Sequence, residues 1–207
     1  MMRKTSHKKI LDMVILAMLL ALVIVLQLFA GFIKVGPFSP SLVLIPIVIA
    51  AILVGPTGGG IIGGAFGIVV VIQCFTGVDA GGFILWGINP FLTAFLCMLK
   101  GVCAGVVPGL IYKAMAGKEP TDKRILVSSI VAALSAPIVN TGLFLIGLSV
   151  FFTDTLYAWS GGTDVMLYVI TGLVGINFLI EFGINVIISP AVSTIVKVTT
   201  KKVLKNI

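Results

Sequence analysis

Ile10-Leu-Asp-Met-Val-Ile-Leu-Ala-Met-Leu-Leu-Ala-Leu-Val-Ile-Val-Leu-Gln-Leu-Phe-Ala-Gly-Phe32 is the stretch that decides the fold class. As a helix it reaches about 34 Å at 1.5 Å per residue, enough for the ~30 Å hydrocarbon core of a bilayer. Its apolar length exceeds the roughly 7–15 residues of a cleaved signal sequence, and no Ala-x-Ala-like site follows it. It therefore reads as a retained helix.

The rest of the chain repeats this character. Of 207 residues, 59% are hydrophobic and 10% charged, with a mean hydropathy of +1.24. A soluble domain carries about 25% charged residues, so lipid has to be the solvent here. Polar and Gly/Pro punctuation divides the chain into helices at about Ile10–Gly31, Ser41–Val54, Thr57–Phe75, Asn89–Tyr112, Ile125–Phe152 and Met166–Val196. The expected fold is an all-α integral membrane protein: a bundle of six transmembrane helices over residues 10–196, with basic tails at 1–9 and 197–207. The second run is short for a full span and contains Pro46. Pro190 is expected to kink or end the sixth.

Lysine and arginine set the orientation. Arg3, Lys4, Lys8 and Lys9 precede the first run. Lys113, Lys118, Lys123 and Arg124 lie between the fourth and fifth, and Lys197, Lys201, Lys202 and Lys205 follow the sixth. With an even number of spans these regions share one side, and they hold twelve of the 14 basic residues. The positive-inside rule makes that side, and both termini, cytoplasmic. The opposite loops carry Asp79, Asp154 and Asp164 but only Lys34. Anionic lipid accounts for the net charge of +7 without a nucleic-acid partner.

Several chemistries are absent. No G-x-x-x-x-G-K-[ST] motif exists to hold ATP. The single histidine, His7, lies in the basic tail, which excludes a His-based intramembrane serine protease and an H-E-x-x-H metalloprotease. No paired acids suit metal-assisted phospholipid transfer. Cys74, Cys97 and Cys103 lack metal-ligand spacing and read as small packing residues. An enzyme is not expected, nor a cofactor or metal. Uphill transport would draw its energy from a partner or an ion gradient.

Two small-residue patterns remain. Ala17-Met-Leu-Leu-Ala21 places two alanines on one helix face, open to close approach by another backbone. Further on, Pro46-Ile-Val-Ile-Ala-Ala-Ile-Leu-Val-Gly-Pro-Thr-Gly-Gly-Gly-Ile-Ile-Gly-Gly-Ala-Phe-Gly67 contains the i,i+4 pairs Gly59/Gly63, Gly60/Gly64 and Gly63/Gly67. A phosphate loop would need a lysine, so this stretch reads as a smooth face for helix packing.

These motifs, with Ile88-Asn89-Pro90 and Ala136-Pro-Ile-Val-Asn-Thr-Gly-Leu-Phe144, resemble one family across essentially the whole chain. The family is the substrate-binding S components of energy-coupling factor (ECF) vitamin transporters. The resemblance implies a six-helix bundle that binds a vitamin on its extracellular side. It also implies partners: a transmembrane T protein and two cytoplasmic ATPases, with Ala17 and Ala21 matching the motif that contacts the T protein.

Polar residues inside the runs are the remaining clues, since a central charge costs roughly 2.5–3.5 kcal/mol on insertion scales and so faces the bundle interior. Lys100 and Glu181 lie near the middle of their runs. They either neutralise each other, or Lys100 meets a substrate carboxylate while Glu181 tunes it. The amides of Asn89, Asn140 and Asn177 offer donors and acceptors to a ligand. Asn185 lies deeper and reads as a tie between helices. Gln73, at the outer end of its helix, and Trp86, in the following loop, are expected to line the same outer pocket. Tyr157, Trp159 and Tyr168 read as an interfacial belt, or else as a lid. The Gly/Pro/Ser-rich segment Gly31–Pro40 would open and close over the pocket.

The leading expectation is thus a vitamin-binding S component. Few outward cations argue against polyanions, so pantothenate and riboflavin lead. The rivals are a self-contained secondary transporter or channel, coupled through Glu181 or Asp12, and a scaffold without a ligand.

Overall fold

A computed structural model describes residues 2–30, 41–117, 120–169 and 175–205. The segment Gly31–Pro40, with Lys34, lies outside them. Among the described residues every regular element is a helix: α1 Met2–Ala30, α2 Leu44–Leu53, α3 Pro56–Thr76, α4 Ala80–Ile88, α5 Pro90–Ala116, α6 Asp122–Phe151, α7 Thr153–Ser160, α8 Val165–Tyr168 and α9 Gly175–Lys205. Five stretches are long and apolar enough to cross a bilayer: Lys9–Ala30, Pro56–Thr76, Pro90–Ala116, Asp122–Phe151 and Asn177–Thr199. The sixth apolar helix, α2, is the short one.

The sequence of α2 explains its place. Leu44-Ile-Pro-Ile-Val-Ile-Ala-Ala-Ile-Leu53 has no polar face, and a helix apolar all round belongs inside. At 10 residues it spans about 15 Å, half of what a bilayer needs. It is surrounded by α1, α3, α5, α6 and α9, with Leu44, Ile47, Val48 and Ala50 fully buried. Pro46 sits in its first turn, where the missing N–H has no intrahelical partner to lose. Gly55 then turns the chain at φ +101°, a conformation open to glycine, and Pro56 starts α3.

The glycine face of α3 packs antiparallel on α5. A Cβ added to Gly63 would strike the Gly101 carbonyl, and one on Gly101 would strike Gly63. Gly59 and Gly105 stand in the same reciprocal relation. The two backbones touch directly and make a rigid pair, which gives the small-residue pattern its purpose.

The local structure bears on three expectations. Trp86 is not in a loop: Asp79 accepts the Gly82 N–H at 2.6 Å, caps the glycine-rich stretch and starts α4. For the last run, Val165–Tyr168 (α8) and Gly175–Lys205 (α9) are helical among the described residues. Pro190 does not end α9. The carbonyl that loses its backbone donor to this proline is that of Val186, and Ser189 Oγ donates to it at 2.9 Å.

At one end of the bundle, α4, α7 and α8 close over the helices through Leu85, Leu148, Phe152 and Leu156. At the other, Lys197 Nζ meets Asp122 Oδ2 at 2.6 Å, tying α9 to the start of α6. Outward-facing Ile61, Ile72, Phe91, Ile146, Leu179 and Ile187 are each more than half exposed, a surface suited to acyl chains.

Candidate functional site

Of the side chains foreseen for a site, Lys100 lines a described cavity, which reaches toward α4, while Asn140, Asn177 and Glu181 lie outside its lining. On α5, Thr93, Cys97 and Lys100 recur at three- and four-residue steps and so share a face. They line a cavity of about 20 Å³ together with Cys74 of α3, Asp79 and Phe144 of α6. That is room for about one water molecule. The Lys100 ammonium stands 4.7 Å from the Phe144 ring centroid, within cation–π range. Cys74 and Cys97 face each other across the cavity wall with sulfurs 4.0 Å apart.

Glu181 of α9 forms the second polar locus. It is 5% exposed, and its Oε1 accepts the backbone N–H of Ser41 at 2.6 Å, just before α2. That backbone is irregular yet buried, and a carboxylate satisfies it where water does not reach. Lys100 acts on the same carboxylate through its charge, and the side chains of Ser41 and Asn140 stand close enough to hydrogen-bond with it. Asn140 is 4% exposed and lies one turn from Phe144 on α6, so the two share a face. Glu181 Oε2 and Asn140 Oδ1 are buried without hydrogen-bond partners.

Lys100 and Glu181 form no salt bridge with one another. The cation rests on a ring face and the anion takes a backbone donor.

The remaining expected residues take other places. Gln73 is buried but paired with α1: Gln27 Nε2 donates to Gln73 Oε1 at 2.8 Å, and Gln73 Nε2 donates to the Gln27 carbonyl at 3.0 Å. Asn89 caps α5, its Oδ1 accepting the Leu92 N–H at 3.1 Å ahead of Pro90. Trp86 packs edge to face with Phe75, centroids 5.8 Å apart. Neither Asn89 nor Trp86 lines the cavity beside Lys100. Asn177 lies one turn before Glu181 on α9. Asn185 Nδ2 donates to the Glu181 carbonyl at 2.8 Å, a bond within its own helix. Tyr157 is exposed, whereas Trp159 and Tyr168 pack into the α7–α8 cluster. Ala17 and Ala21 are exposed on the outer side of α1, so neither serves packing within the chain.

Phe144, Asp79 and Ser41 were not foreseen as site residues. For Phe144 the signal was present, four residues from Asn140 in Asn140-Thr-Gly-Leu-Phe144. Ser41 acts through its backbone, which side-chain chemistry does not reveal.

Comparison with known proteins agrees with this architecture. Residues 11–193 match the family model described as ECF transporter, substrate-specific component. The pantothenic acid transporter PanT of Lactococcus lactis subsp. cremoris (strain MG1363) is 27% identical over 198 residues, covering 90% of this chain and 94% of that protein. This is a family of transporter subunits, not of enzymes. With its family match and five membrane-length helices, the chain is a multi-pass cell-membrane protein that belongs to the substrate-specific components of ECF transporters.

Proposed function

We propose that this chain is the vitamin-binding subunit of an ECF-type importer and that its ligand is pantothenate. Family membership supports the class of function, and the name of the Lactococcus relative supports the ligand.

The observation that carries the reading is the separation of Lys100 from Glu181. Opposite charges inside one bundle ordinarily neutralise each other, because an uncompensated buried charge costs several kcal/mol. Here the Lys100 ammonium is held on Phe144, beside a cavity. An ammonium resting on an apolar ring at a cavity wall suits one ligand carboxylate. It matches a singly charged acid such as pantothenate, and it suits neither a polyphosphate nor riboflavin, which has no carboxylate. The cavity holds about one water, so ligand binding widens the space between α5, α6 and α9.

Lys100, Asn140, Asn177 and Glu181 are the proposed ligand-binding set. Gln73, Asn89 and Trp86 support the site from its edge by holding α1, α5 and α4. With α2 counted, six apolar helices make the bundle, and both basic termini face the cytoplasm. Ala17 and Ala21 then lie on a free face of α1, ready for a transmembrane T protein. Two ATPases bound to that partner would energise uptake, since this chain has no nucleotide motif of its own.

Titration calorimetry of the detergent-solubilised protein against a panel of vitamins tests the reading. Saturable one-to-one binding of pantothenate is expected. Saturation by another vitamin but not by pantothenate would reject the ligand, and silence across the panel would reject the function.

A further inference from the structure

Two buried oxygens lack donors on facing helices: Glu181 Oε2 on α9 and Asn140 Oδ1 on α6. A buried acceptor without a donor costs about 1–3 kcal/mol. The Asn140 amide can turn to present its NH₂ group, but an ionised carboxylate has only acceptors. The carboxylate already holds one backbone N–H, from Ser41, on its other oxygen. The Asn140 amide and the Ser41 side chain also stand close enough to hydrogen-bond with this carboxylate, so a ligand hydroxyl would join that polar cluster at Oε2.

The second observation is depth. On α6, Phe144 carries the Lys100 ammonium, and Asn140 lies one turn toward the helix start, beside Glu181. Four residues of helix rise about 6 Å. Along α6, the residue that holds the cation and the residue beside the carboxylate are thus about 6 Å apart.

From this arrangement we infer the direction in which the ligand lies, an inference that rests on the pantothenate reading above. The ligand carboxylate meets Lys100 on the α4 side of the site, and its hydroxyl-bearing end lies deeper, donating to Glu181 and Asn140. Pantothenate fits this spacing. Five bonds separate its carboxylate carbon from the carbon bearing the secondary hydroxyl, roughly 6 Å when extended. Glu181 and Asn140 are then the specificity-determining residues for the dihydroxy-acyl half. An acid of the same length without hydroxyls would leave the two acceptors unpaired, and sites built around buried polar groups reject such analogues strongly.

The test pairs two truncated ligands with two variants, using competition against radiolabelled pantothenate on purified, monodisperse protein. Panthenol replaces the carboxylate by a CH₂OH group. The second probe is a β-alanine amide of a branched acid that lacks both hydroxyls. Lys100→Met is expected to weaken pantothenate and the dehydroxy acid at least tenfold while changing panthenol less than threefold. Glu181→Gln, which keeps an acceptor for Ser41, is expected to weaken pantothenate and panthenol at least tenfold while changing the dehydroxy acid less than threefold. If each variant affects all three ligands alike, or if the pattern is crossed the other way, the orientation is wrong while the vitamin-binding reading survives. If the wild-type protein binds none of the three, the underlying reading fails and the orientation with it.

Discussion

The Lys100 ammonium and the Glu181 carboxylate share the interior of one helix bundle without joining: one lies 4.7 Å from the Phe144 ring centre, the other on the Ser41 N–H. If they were a structural pair, removing either would strand the other and cost about 3–5 kcal/mol. As separate contacts they do not depend on each other for folding. Lys100→Met is therefore expected to leave the melting temperature of the ligand-free protein within about 4 °C of wild type, the equivalent of about 1 kcal/mol. Thermal unfolding in detergent, followed by intrinsic fluorescence, reads this directly. A fall of 10 °C or more would restore the structural pairing.

Gly63 and Gly101 touch through their backbones, so a methyl group on either has nowhere to go. Gly63→Ala and Gly101→Ala should each lower stability by about 1–3 kcal/mol through overpacking. Gly142 provides the control, since a Cβ there meets nothing within 4 Å. Gly142→Ala should be neutral or stabilising by up to about 1 kcal/mol, from the helix preference for alanine. Equal damage from all three substitutions would argue against the α3–α5 seam.

The Gln27–Gln73 pair joins α1 to α3 by one hydrogen bond between the side-chain amides and one from Gln73 Nε2 to the Gln27 backbone carbonyl. Replacing one glutamine by leucine strands its partner and should cost about 1–3 kcal/mol. Replacing both removes the stranded group, so the double variant should be less destabilised than the sum of the singles. A thermal-stability double-mutant cycle measures this coupling. Strict additivity would show that the two amides do not depend on each other.

Ala17 and Ala21 point away from their own bundle. Ala17→Trp with Ala21→Trp should leave vitamin affinity within threefold of wild type while abolishing ATP-driven uptake in liposomes that also contain the T protein and its ATPases. Loss of binding as well would place these residues inside the fold, and unimpaired uptake would remove them from the partner interface.

The parts of this account that were legible in the sequence are those fixed by composition and periodicity. Apolar runs between Gly/Pro breaks located the long helices, and four-residue glycine spacing announced the α3 packing face. Short-range chemistry decided the rest. Asp79 starts α4 through its cap bond to the Gly82 N–H, and its glycine-rich context conceals the helix. Pro190 signalled a break, but Ser189 repairs the lost carbonyl partner. Asn89 looked like a ligand amide because an asparagine before proline serves equally as a helix cap. Lys100 and Glu181 were both marked by the cost of charge in lipid. Whether they pair depends on the relative rotation of α5 and α9 and on a ring contributed by α6, which no single helix encodes.

Native mass spectrometry of the protein purified in mild detergent from cells supplied with pantothenate tests the central claim most directly. The account predicts a one-to-one adduct with the mass of pantothenate in the wild-type protein, and its loss in Lys100→Met and Glu181→Gln. A protein that emerges empty, and that takes up no pantothenate when the vitamin is added at saturating concentration, would contradict it.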